Sequence, residues 1–181
     1  MNSAPSQARR VLDGDEIDRA LRRIALEIAE RNRGVPELAL VGVRRGGIAP
    51  AERLQAMLRE TEGRDVPVGS VDITLYRDDA ATALPNPLIG PSEIPFGVDG
   101  RVVILVDDVL YTGRTTRAAI DAILDYGRPR AIQLAVLIDR GHRELPLHAD
   151  FVGRTVVTTA TERVDVRLGG DGPNEVVVSE G

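Results

Sequence analysis

The chain of 181 residues carries a net charge of −5, is 43% hydrophobic and 3% aromatic, and contains no Cys, Trp or Lys. These absences exclude disulfides, thiolate nucleophiles and Cys-ligated metals, a Walker A loop with its phosphate-binding Lys, and a pyridoxal-phosphate Schiff base. A general nucleic-acid coat needs a basic surplus, so any such contact here must come from a local patch among the 23 basic residues, all of them Arg.

Residues 1–12 read as a loose tail or a short edge strand. They lack a signal peptide's apolar stretch, and no apolar run approaches the roughly 20 residues of a membrane span; a cytoplasmic protein is expected. Asp13 or Asp15 can cap a helix running to about Arg33. Its buried stripe is Ile17, Leu21, Ile24 and Ile28 at helical spacing. Gly34 marks the stop, and Pro36 follows. Residues 37–43 (ELALVGV) then form a buried strand, 44–47 (RRGG) a tight turn, and 49–59 a helix with Ala51, Leu54 and Leu58 inward.

A second strand is expected over 66–74. Residues 76–100 follow with little periodicity and prolines at 85, 87, 91 and 95; loops of such length in a compact domain are often functional, and a mobile lid or short hairpin is expected. Residues 101–106 (RVVILV) are the clearest buried strand, 107–114 a loop, and 115–126 a helix ended by Gly127 and Pro129. Residues 131–138 (AIQLAVLI) form another buried strand. From 139 onward the short mixed pieces suggest a small C-terminal cap or β-ribbon.

Continuous apolar strands alternating with helices indicate an α/β fold, a mostly parallel sheet with helices on both faces. The chain is expected to be one domain over 1–181, with the mobile loop about 76–100 and the cap about 139–181. Ligands in such sheets bind beyond the carboxyl ends of the strands, where the 44–47 and 107–115 loops lie.

The central motif is Val103-Ile104-Leu105-Val106-Asp107-Asp108-Val109-Leu110-Tyr111-Thr112-Gly113-Arg114-Thr115-Thr116. A buried strand offers a rigid platform. Two adjacent carboxylates at its end repel each other, and ribose hydroxyls or a nearby Mg²⁺ would offset that repulsion. Small and hydroxyl-bearing residues then open a helix, whose free N–H groups and dipole attract an anion, with Thr112, Thr115 and Thr116 as further donors. The segment suits a phosphorylated sugar. In the turn at 44–47, glycines permit close backbone approach, and Arg44 and Arg45 can neutralise pyrophosphate. Arg77, in DITLYRDD before the long loop, is a further candidate for pyrophosphate. His142 and His148 show no metal or triad spacing and read as surface residues.

The central motif resembles the phosphoribosylpyrophosphate (PRPP) signature of the type I phosphoribosyltransferases. That resemblance implies that Asp107 and Asp108 contact the ribose hydroxyls and that 111–115 hold the 5′-phosphate. It also makes 44–47 the pyrophosphate loop, often with a cis peptide. The family's usual order there is a small residue, a basic one, then Gly; here Arg45 stands in the small-residue place and Gly46 in the basic one.

Together with DITLYRDD and LIDRGHRELPLHADFVG, the motif is similar to the PyrR family of pyrimidine-operon attenuation regulators and uracil phosphoribosyltransferases, over about residues 12–168. The likeness implies conversion of uracil and PRPP to UMP and pyrophosphate with Mg²⁺, and nucleotide-modulated binding to the leader of pyrimidine-biosynthesis (pyr) mRNA. It makes Arg140 and the backbone near Val164 the base contacts. Expected RNA contacts are Arg19, Arg22 and Arg23 on the polar face of the first helix, around Leu26, with Arg143 and Arg154 in the cap, gathered by a homodimer or higher homo-oligomer. Composition alone does not name the base. A PRPP- or nucleotide-sensing regulator with little turnover, or a purine or orotate phosphoribosyltransferase, would share the central motif.

Overall fold

The computed structural model describes residues 8–77 and 92–181; residues 78–91, which include most of the expected lid, and residues 1–7 lie outside the described residues. Strand β1 (Arg9–Leu12) leads into helix α1 (Gly14–Arg31). Asp13 caps α1, accepting from the Glu16 N–H at 2.8 Å, while Glu16 accepts from the Asp13 N–H at 3.0 Å, a reciprocal capping box. At the other end the Gly34 N–H bonds Ala29 O and the Arg33 N–H bonds Glu30 O. This is a Schellman arrangement in which Arg33, at φ 55°, takes the left-handed position. The sequence places that role on Gly34, one residue later.

Next come β2 (Leu38–Val43), α2 (Ile48–Glu62), β3 (Val68–Val71), a 3-10 turn (Thr74–Tyr76), β4 (Val102–Leu110), α3 (Arg114–Leu124) and β5 (Ala131–Asp139). The chain ends with β6 (Phe151–Thr155), β7 (Glu162–Arg167) and β8 (Glu175–Glu180). The main sheet has the order β3-β2-β4-β5-β6, with every neighbouring pair parallel. Strand β4 is central. Its Val102, Ile104 and Val106 face a core shared with Ile17 and Leu21 of α1 and Leu54 and Leu58 of α2. Its Val103 and Leu105 face the opposite core with Ala119, Ala122 and Ile123 of α3. Helices thus cover both faces, as the unbroken apolar strands imply.

Two expectations change. Residues 151–155, read as cap, are the fifth strand of the main sheet. The smaller sheet has the antiparallel order β1-β8-β7, so the ribbon expected at the C-terminus takes its third strand from the N-terminus. Leu12, Val176 and Val178 anchor it in the core beneath α1 and α2. Among the described residues, no helix is long and apolar enough to cross a membrane.

Candidate active site

Strand β4 carries the acid pair. The sequence reading places Asp107 and Asp108 in a loop, but the strand runs on to Leu110 because β5 accompanies it, pairing Val136 with Asp107 and Asp139 with Leu110. Asp107 is buried and Asp108 half-buried. The Asp108 N–H donates to Asp107 Oδ1 at 2.8 Å, and the Val109 N–H donates to Asp108 Oδ1 at 2.7 Å. Burial first, and the neighbouring Asp108 carboxylate second, hold the Asp107 carboxyl well above the usual carboxylate range. Val103, Ile104, Leu105 and Val106 are sealed inside the two cores, which corrects their place among the binding residues; Leu110 is buried likewise, and Val109 is partly buried against the core. They are the platform.

The turn between β2 and α2 lies directly against Asp108. A Cβ on Gly46 would fall 2.8 Å from Asp108 Oδ1 and closer still to Oδ2; on Gly47 it would fall 2.6 Å from the Val43 N and closer to Val106 O. Only glycines let this turn nest on the end of β4. The Arg44–Arg45 bond is cis, as the family resemblance implies. The two arginines differ. Arg44 turns toward β3, with Nε on Ser70 Oγ at 3.2 Å and Nη2 at 3.8 Å from Glu93. Arg45 is exposed, and among the described residues its guanidinium has no hydrogen-bond or ion-pair partner, so it offers the turn's available charge.

The N-cap Gly113 gives α3 no side-chain cap; the Arg114 N–H meets Thr112 Oγ1 at 3.3 Å, and the N–H groups of Thr115 and Thr116 that follow are left for a ligand. Gly113, at φ 93°, makes the bend and packs against Leu145 and Leu147. Thr112 and Thr115 line the loop, with Arg114 exposed and paired with Glu144 at 2.6 Å. Thr116, expected as a donor, is buried within α3's inner face. Arg140 is buried with its guanidinium carbon 3.9 Å above the Tyr111 ring. Its Nε bonds Thr158 Oγ1 at 3.2 Å and its Nη2 bonds Thr159 O at 3.0 Å. The His142 ring meets Tyr111 edge-on at 5.9 Å and lies 2.7 Å from Thr158 O. One aromatic side chain therefore joins the loop before α3 to the expected base side.

Arg77 is exposed at the end of the 3-10 turn. That turn is docked on α3, because Arg117 Nη2 donates to Tyr76 O at 2.7 Å and the Tyr76 hydroxyl donates to Asp125, which raises the Tyr76 pKa. Val164 lies on β7 opposite Val178 and packs against the core edge. Among the described residues, no three His, Cys, Asp or Glu side chains form a metal cage. One or two carboxylates beside a phosphorylated ligand is, however, the usual Mg²⁺ arrangement, and Asp107 and Asp108 fit it.

The expected RNA surface is more neutral than its arginines suggest. Arg22 pairs with Glu60 at 3.2 Å, and Arg154 with Glu16 at 3.8 Å. Arg23 lies 3.5 Å from Glu27 and donates to Val152 O and Gly153 O, tying α1 to β6. Arg143 bonds Tyr111 O, Leu147 O and Asp139 within the chain, so much of its guanidinium is taken up internally. Arg19 and Leu26 are exposed on α1.

The family model of the phosphoribosyl transferase domain matches residues 7–168. A relative named bifunctional protein PyrR, from Pelotomaculum thermopropionicum, is 58% identical over 171 residues, covering 94% of each chain. One of the same name from a Roseiflexus species is 60% identical over 160 residues, covering 88% of this chain and 87% of its own. Among solved structures, the hypoxanthine phosphoribosyltransferase of Trypanosoma cruzi superposes with a TM-score of 0.72 at 21% identity, covering 95% of this chain and 96% of that one. A hypoxanthine-guanine phosphoribosyltransferase of Bacillus anthracis gives 0.67 at 18%, covering 96% and 99%. At such identity these two establish the shared fold alone.

Proposed function

The chain belongs to the phosphoribosyl transferase domain family, and from that membership we propose that it is a uracil phosphoribosyltransferase that also regulates pyrimidine-biosynthesis genes by binding the pyr mRNA leader. The likeness to PyrR proteins over nearly the whole length supports both halves of this reading. The observation that carries the enzyme half is the nesting of the Arg45-Gly46 turn on Asp108. It sets a cation for pyrophosphate beside an acceptor for ribose hydroxyls, at the strand ends where ligands of parallel sheets bind.

In this reading N1 of uracil attacks the anomeric carbon of PRPP, the bond to pyrophosphate breaks, and the N1 proton leaves. Asp108, with Asp107 behind it, holds the ribose hydroxyls. The loop 111–115 holds the 5′-phosphate, and Arg45 and Arg77 balance charge on the leaving pyrophosphate. Arg140 and the backbone near Val164 face the base. Placement and charge neutralisation, rather than a covalent nucleophile, supply the acceleration. A Mg²⁺ ion, held by the acid pair and PRPP oxygens, would add charge neutralisation at the diphosphate. The reading takes the chain as a single phosphoribosyltransferase domain, cytoplasmic and at least dimeric, with Arg19, Arg22 and Arg154 around Leu26 as the RNA face.

Protein, Mg²⁺, PRPP and labelled uracil should yield UMP, with hypoxanthine and orotate competing poorly. No UMP at saturating substrate would remove the enzyme half. A gel shift with pyr leader RNA, with and without UMP, tests the other half; no shift in either condition would remove it.

A further inference from the structure

The segment RGHRELPL, residues 140–147, stands outside the catalytic residues proposed above except for its first Arg. It lies along the outer side of the loop that opens α3. Four successive carbonyls, from Leu110 at the end of β4 to Gly113 at the start of α3, are each engaged. Leu110 O accepts from the Arg140 N–H at 3.1 Å, and Thr112 O accepts from the N–H groups of Glu144 at 2.9 Å and Leu145 at 3.2 Å. Gly113 O accepts from the Arg117 N–H at 2.9 Å. Tyr111 O, between them, is reached by a side chain instead: Arg143 Nη1 donates to it at 2.7 Å.

Arg143 is itself fixed on three sides. Its Nη2 bonds Asp139 Oδ2 at 2.7 Å, its Nε bonds Leu147 O at 2.9 Å, and its Nη1 also lies 3.5 Å from Gly141 O. Asp139 is the last residue of β5, paired with Leu110 at the end of β4. The ion pair thus ties the clamp to the same end of the sheet that carries the acids. Among the described residues one side chain holds Tyr111 O, and the peptide it controls joins Tyr111 to Thr112. Were that peptide to turn, its carbonyl would point where an anion should sit and its N–H would point away. A nest of N–H groups binds phosphate only while every carbonyl faces outward.

We propose that Arg143 is a positioning residue for the phosphate loop, holding the Tyr111 carbonyl outward so that the loop's N–H groups receive the 5′-phosphate of PRPP and UMP. The proposal rests on the reading that the phosphate lodges at 111–115.

The test compares UMP with uridine, which differ only in the phosphate. Calorimetric affinities are measured on the wild type, Arg143→Gln and Arg143→Lys, with Tm recorded for each. Arg143→Gln should lower UMP affinity about tenfold or more while leaving uridine within about twofold, in keeping with the loss of a charge-assisted bond. Arg143→Lys, which keeps a cation for Asp139 and one donor for the carbonyl, should recover part of the difference. KM for PRPP should rise with UMP affinity, and leader-RNA affinity without nucleotide should stay unchanged. Equal loss of UMP and uridine would overturn the proposal in favour of a general structural role. An unchanged UMP-to-uridine ratio would overturn it too, as would lost RNA binding with that ratio intact. If the wild type itself bound UMP no better than uridine, the underlying reading of the phosphate site would fail instead.

Discussion

Replacing Gly46 by alanine adds one methyl group where the 44–47 turn meets the acid pair. The backbone permits it, since Gly46 is not among the positive-φ glycines. Space does not. The new Cβ would stand 2.8 Å from Asp108 Oδ1 and nearer to Oδ2, where ordinary contact begins at 3.4 Å. The nearer oxygen must therefore withdraw by on the order of 1 Å, and a misplacement of that size costs about 10²-fold in rate. Withdrawal also strains the bond from the Val109 N–H to Asp108 Oδ1, now 2.7 Å, at a cost of about 1–2 kcal/mol in stability. Steady-state UMP formation should fall about 100-fold in kcat/KM, near 2.7 kcal/mol of transition-state stabilisation, while far-ultraviolet circular dichroism stays native. Activity within about threefold of wild type would refute the claim that Asp108 must occupy its present place.

Three further outcomes are expected. Asp107 has a raised pKa when folded, so the folded state binds more protons than the unfolded one between the two pKa values. Its carboxyl therefore favours the fold at pH below the usual carboxylate range, and that contribution is lost as pH rises through the raised value; Asp107→Asn should gain Tm relative to wild type as pH climbs from about 4 toward neutrality, and a constant difference would contradict the buried acid. Arg19→Glu with Arg22→Glu should weaken leader-RNA binding and flatten its salt dependence without slowing UMP formation; unchanged affinity at moderate salt would move the RNA face elsewhere. Arg33→Gly should relieve a left-handed residue, adding about 1 kcal/mol and roughly 2–4 °C in Tm; a lower Tm would show that the Arg33 side chain contributes more than its backbone costs.

The parts of the fold that were legible in the sequence are those written in local pattern. Ile17, Leu21, Ile24 and Ile28 mark α1 by spacing, and the apolar run before Asp107 marks β4. The acid pair and the small residues after it mark a candidate ligand site without any tertiary information. What escaped depends on distant partners. Asp107 and Asp108 are poor strand formers, and only β5 running alongside keeps them in the ladder. Strand β6 is short and at an edge, with Phe151 and Gly153 its only buried residues, so its pattern does not distinguish main sheet from cap. The pairing of β1 with β8 joins the two ends of the chain, which no local period records. An arginine reads the same whether free or engaged: nothing local in the sequence tells that the guanidinium groups of Arg143 and Arg23 hold carbonyls.

The most direct test of the account is calorimetric titration of UMP, and of PRPP with Mg²⁺, into the wild type and into Asp107→Asn with Asp108→Asn. The wild type should bind both saturably, and the doubly substituted, still-folded protein should lose most of that affinity. Undiminished binding in the variant would mean that the phosphorylated sugar sits somewhere other than the junction of β4 and α3.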